Sequence, residues 1–230
     1  MSPVTNLVLN RVQLIAPRID EAMASAIIQA ETRAQGFDQD RFPHIRPLNI
    51  RQDVRLSLEA EPLPGGWRVE GDPRKMGQLL LVDSETGMTV RFLKAPYTQP
   101  DHVPHAGYNP ARRETWSNEP LDTSLQTAIP SLGDAGTLAK RTDGLHGETF
   151  LLIWAWKDPS DRESGYDLRI VHTRAPGAFG KATPCDLDLV IPRGGLVNED
   201  GLRFVGSDED SDLFIFDIPD ENDTEGLAGQ

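Results

Sequence analysis

The chain has 230 residues, 38% of them hydrophobic and 26% charged, with a formal net charge of −13. That length suffices for a full core in one large domain or two small ones, and the balance is that of a folded chain rather than a disordered one. The acidity excludes general affinity for phosphate backbones, so nucleic acid is not expected to bind directly, and no window approaches the roughly 18 apolar residues of a membrane span. Cys185 is the single cysteine, so no intrachain disulfide can form. With no secretory pattern at the start, the expected compartment is the reducing cytoplasm of a bacterial cell.

The clearest helical pattern covers residues 18–35, where Ile19, Met23, Ala26, Ile27 and Ala30 recur at three- and four-residue spacing. Pro17 suits its first turn, Asp20 and Glu21 complement the positive end of its dipole, and Gly36 suits a left-handed stop. The preceding segment, Val4 to Ile15, fits a strand or a short helix. From Asp40 to Arg55 the chain turns basic, with Arg41, Arg46, Arg51 and Arg55. Pro43 and Pro47 argue against a continuous helix there, and Val54, Leu56, Leu58 and Ala60 alternate with polar residues as in a half-buried strand.

A meander is expected next. Pro64-Gly65-Gly66 makes a turn, Trp67 to Glu70 a strand and Gly71-Asp72-Pro73 a second turn. Gln78 to Val82 and Met88 to Leu93 are the arms of a hairpin joined by Asp83 to Gly87. Residues 95–147 are punctuated by prolines and carry no lasting period; Thr123–Ile129 and Ala135–Lys140 are candidate short helices. The remainder alternates as strands: Thr149–Trp156, Tyr166–Thr173, Asp186–Ile191, Leu202–Val205 and Leu213–Ile218. Strand parity puts Leu152, Trp154 and Trp156 on one face, as core. The class is therefore α+β: an N-terminal helix and a mostly antiparallel sheet, with a β-rich second half. Its expected parts are 1–94, a connection at 95–147, a β-rich stretch at 148–218 within the same or a second domain, and an acidic flexible tail at 219–230.

No reactive motif stands out. Asp101, His102 and His105 form an Asp-His-x-x-His string that His146 could join to hold a divalent metal, but Pro100 and Pro104 oppose the helical turn such spacing needs. Asp83, Glu85 and Lys157 lack the acid-x-Lys element of a magnesium nuclease and fit turn chemistry better. Cys185 sits beside Asp186, which raises a thiol pKa. Neither a nucleophile elbow nor a phosphate loop is present.

The strongest bias is terminal. Residues 206–230 hold Asp208, Glu209, Asp210, Asp212, Asp217, Asp220, Glu221, Asp223 and Glu225 with no Lys or Arg. Such a run steers a chain toward a basic partner surface. The expected function is a non-catalytic protein-binding or regulatory role of the antitoxin, immunity, anti-defence or regulatory-subunit kind, without a cofactor. The contacts expected to carry it are Arg41, Arg46, Arg51, Trp116, Asp208, Glu209, Asp210 and Asp212; a homo-oligomer is compatible with it. The alternatives are a metal-dependent hydrolase or nuclease built on Asp101, His102, His105 and His146, and an acidic mimic of nucleic acid.

Overall fold

The computed structural model describes residues 2–38, 41–96, 99, 101–121, 145–158 and 160–194. Two long helices open the chain. α1 (Pro3–Ala34) starts at Ser2, whose hydroxyl caps it by accepting from the Thr5 N–H at 3.1 Å, with Pro3 in the first turn. Val4, Val8, Val12, Ile15, Ile19, Met23, Ala26 and Ala30 form one buried stripe. That stripe keeps its phase through residue 17, so the undecided segment Val4–Ile15 and the expected helix 18–35 are one element. Pro17 lies inside it and not at its start; its ring faces solvent and costs one backbone hydrogen bond on the outer side. The end of the helix comes where expected, but Gly36 lies outside the left-handed region and the cap, Gln35, stays right-handed.

α2 (Ile45–Glu59) replaces the expected non-helical basic stretch and the strand after it. Pro47 is its third residue, where the N–H has no intrahelical partner to lose. Ile50, Val54 and Leu58 are buried at four-residue spacing, whereas Leu56 is 64% exposed. Val54 and Leu58 satisfy either period; the exposed Leu56 and the buried Arg55 separate helix from strand. α2 packs on α1, with Arg33–Asp53 at 2.6 Å and Arg46–Glu31 at 2.7 Å across the seam.

The six strands are β1 (Trp67–Glu70), β2 (Leu80–Asp83), β3 (Thr89–Lys94), β4 (Thr149–Trp156), β5 (Tyr166–Thr173) and β6 (Cys185–Ile191), arranged in chain order in one sheet. Every neighbouring pair is antiparallel except β3 and β4, whose parallel pairing needs the long crossover between them. The class is α+β, as the sequence predicts. β3 of the first expected stretch and β4 of the third are thus hydrogen-bonded neighbours. The crossover contains α3 (Pro110–Trp116), capped by Asn109, whose side chain accepts from the Arg112 N–H at 3.2 Å. The sequence reading found no helix there.

β4 is covered on both sides. Phe150, Leu152, Trp154 and Trp156 face the core shared with α1 and α2, while Leu151 and Ile153 join Leu93, Val103, Ala106, Trp116 and Val171 on the opposite side. Trp154 and Trp156 meet edge to face at 5.4 Å, in the core as expected. Among the described residues no helix is long and apolar enough to cross a membrane. The two short helices expected within 122–144, the last two expected strands and the acidic tail lie outside the described residues.

Candidate functional site

The face of the sheet under α3 carries an unusual strand residue. Arg91 sits between Val90 and Phe92 on β3, opposite Leu151 of β4, and so points to the side of the sheet that Leu93, Leu151 and Ile153 fill with apolar groups. Its guanidinium lies 5.6 Å from the centre of the Trp116 ring, and that of Arg112 lies 4.8 Å from the same ring. One buried indole therefore supports two cations.

Around them is a pocket of about 760 Å³, lined also by Arg51 of α2 and by Lys75 and Met76 of the β1–β2 connection. Phe92, Leu93 and Ala106 form its apolar floor, and Tyr108 stands at its edge, 98% exposed. Its described lining holds four cations and no carboxylate, imidazole or thiol. None of the four forms an ion pair with a carboxylate of the described residues. By contrast, Arg11, Arg33, Arg46, Arg55 and Arg169 each have one.

The electrostatic cost is visible in the three arginines. Burial pulls the Arg51 pKa down, and repulsion from Arg112 adds to it. Burial lowers that of Arg91 too, followed by repulsion from Arg112 and Arg51, while Arg112 is lowered by burial. A guanidinium stays charged at neutral pH despite such shifts, so the pocket holds like charges that destabilise one another. Polar capacity is left over as well. The Nε atoms of Arg51 and Arg112 are buried without a hydrogen-bond partner among the described residues. Arg51 does donate through Nη2 to the Met76 carbonyl. An anion entering here would relieve the repulsion and take up the unused donors.

The residues singled out from sequence are dispersed. Arg51 lines the pocket; Arg46 is buried against Glu31, and Arg41 is exposed beside Phe42, its guanidinium 5.5 Å from that ring. Trp116, expected as an exposed anchor, is fully buried, and its indole N–H donates to the Pro104 carbonyl at 2.8 Å. Its part is to carry Arg91 and Arg112. Asp208, Glu209, Asp210 and Asp212 lie outside the described residues.

The histidines do not meet. His105 Nδ1 accepts from the Gly107 N–H at 3.1 Å and its ring packs on Phe179, whereas His146 lies against Gly87. Asp101 is exposed and His102 half-buried. Among the described residues no three His, Cys, Asp or Glu side chains converge as a metal site would require, so Asp101, His102, His105 and His146 form no such set. Residues 101–105 are not helical, as Pro104 between the two histidines dictates.

Arg91, Arg112, Lys75 and Tyr108 escaped the sequence reading. A usable signal existed for Arg91, a charge in the middle of Thr-Val-Arg-Phe-Leu, in a strand flanked by neighbours on both sides. Asn109-Pro110 is a cap and first-turn pair that marks α3 and hence Arg112. Comparison of the chain with protein-family models, with curated proteins and with solved structures found no match.

Proposed function

We propose that this chain is a non-catalytic binding and regulatory protein whose recognition site is the pocket of Arg51, Lys75, Arg91 and Arg112, and that the ligand is anionic. The observation that supports it is the set of four cations lacking carboxylate partners among the described residues, in a chain with 36 acidic and 23 basic side chains. Where acids are in excess, unpaired and half-buried arginines are held against their own electrostatic preference, which is the mark of a functional site. Binding is favoured over turnover because the described lining offers charge and shape but no carboxylate, imidazole or thiol to act as a general base. Residence in the cytoplasm, and steering toward a basic protein surface by Asp208, Glu209, Asp210 and Asp212, belong to the same proposal and rest on sequence alone.

Calorimetric titration with inorganic pyrophosphate tests this reading. Binding is expected at low ionic strength and is expected to weaken as salt rises. Arg91→Met and Arg112→Met should each lower the affinity at least tenfold, while Arg68→Ala, on an exposed pair with Glu70, should leave it unchanged. In anion-free buffer Arg91→Met should be more stable than the parent by about 1 kcal/mol, because a like-charge contact is removed and the methionine suits its apolar neighbours. No binding at low salt, or binding indifferent to both pocket variants, overturns the proposal.

A further inference from the structure

The pocket is only half cationic. Two large apolar side chains stand exposed at its edge: Met76, 63% exposed, and Tyr108, 98% exposed. They come from different connections, Met76 from between β1 and β2 and Tyr108 from the turn into α3. Met76 is also the one non-glycine residue at positive φ, 57°, among those described. A side chain in that region is strained, and such strain collects at ligand clamps. The Met76 carbonyl accepts from Arg51, which ties the strained residue to the charged half of the pocket.

We propose that the pocket takes a free nucleotide, with the phosphates on Arg51, Arg91 and Arg112 and the base against Tyr108 and Met76. This rests on the anionic-ligand reading above and adds the nucleoside to it. A phosphate chain uses planar guanidinium forks, and a purine or pyrimidine ring uses a bare phenol face and an adaptable thioether. A bare polyphosphate would leave both exposed side chains without a role. The cavity volume lies within the range of small-molecule sites. A nucleic-acid strand is disfavoured because its further phosphates would meet a chain of net charge −13.

The test compares ATP, GTP, CTP and UTP with inorganic tripolyphosphate by calorimetry, on the full chain and on Tyr108→Ala. At least one nucleotide should bind tenfold or more tightly than tripolyphosphate, and Tyr108→Ala should remove that gain while leaving tripolyphosphate affinity unchanged. Tyr108 is so exposed that its truncation spares the fold, which an unchanged melting temperature would verify. If tripolyphosphate binds as tightly as every nucleotide, or Tyr108→Ala changes nothing, the nucleoside assignment falls and the anionic site stands. If an oligonucleotide of the preferred base binds tighter than the mononucleotide, the free-nucleotide assignment falls in favour of a strand end. If none of these anions binds, the anionic reading falls too.

Discussion

Asp83 is a fully buried carboxylate, and everything that keeps it charged is local except one residue. Thr86 donates its hydroxyl to it at 2.7 Å and Glu85 its backbone N–H at 3.1 Å, the geometry of an Asx turn. The remaining donor is Arg11 on α1, which holds Asp83 with a two-pronged grip at 2.7 and 2.8 Å and also reaches Glu85 at 2.5 Å. Burial pushes the Asp83 carboxyl up, but hydrogen bonds from Arg11, Thr86 and Glu85, with the Arg11 charge, bring it below its usual range. Removing one partner of such a pair leaves a desolvated charge behind. Arg11→Ala is therefore expected to cost about 3–5 kcal/mol in urea unfolding. Arg11→Met with Asp83→Leu should recover part of that loss, since neither charge then remains. A double variant no better than the single one would show that the pair is not what couples α1 to the β2–β3 hairpin. The turn was legible in Asp83-Ser84-Glu85-Thr86-Gly87, because its hydrogen bonds span two or three residues. Arg11 was not, because nothing in the sequence relates positions so far apart.

At the scale of elements, α1 carries a helix-breaking residue with no packing duty. Pro17 removes a backbone donor from the middle of a 32-residue helix, and its ring is exposed. An interior proline costs a helix about 3 kcal/mol, partly offset by about 1 kcal/mol from the stiffer unfolded chain. Pro17→Ala is expected to stabilise the protein by about 1–2 kcal/mol, read as a higher melting temperature. A neutral or lower value would mean that the missing N–H costs α1 little on its solvent side. The same proline explains why sequence periodicity split α1 in two: a helix-breaking residue outweighed an apolar stripe that continues on both sides. α2 was misjudged for the opposite reason, that Val54 and Leu58 satisfy both periods while its buried face includes Arg46, Asp53 and Arg55, polar residues with partners on other elements or connections. β4 and β5 posed no such difficulty. Continuous apolar runs such as Phe-Leu-Leu-Ile-Trp must be covered on both faces, and their bounds came out as expected.

Taken as a whole, the molecule places its charge unevenly. Arg51, Arg91 and Arg112 belong to α2, β3 and α3, so no window of sequence holds the pocket and no spacing motif could announce it. What the sequence did carry was the excess of acid, and the structure shows which partners hold part of it. Asp186 accepts from the Leu121 N–H at 2.9 Å and sits 2.6 Å from Nδ1 of the fully buried His172, whose Nε2 lies 3.1 Å from Glu148. Burial raises the Asp186 carboxyl, but the His172 and Leu121 contacts, with Arg174 nearby, leave it lowered overall, as Asp83 is. Asp188 goes the other way, raised by burial more than Arg169 lowers it. The sign then follows. A carboxyl depressed in the folded state binds its proton there less readily than in the unfolded chain, so its stabilisation is complete above the unfolded pKa of about 4 and is lost as pH falls through the folded value. Asp83 and Asp186 both act in that direction, and Asp188 opposes them singly: its stabilisation is present below the unfolded pKa and is lost as pH rises through its raised folded value. Stability is expected to fall steeply below about pH 4, with net proton uptake on unfolding. Asp186→Asn should destabilise at neutral pH yet flatten the acid limb, lowering the proton uptake by up to about one. Urea unfolding from pH 7 to pH 2.5 reads both effects, and an acid limb of unchanged slope in Asp186→Asn would remove Asp186 from the groups that set it.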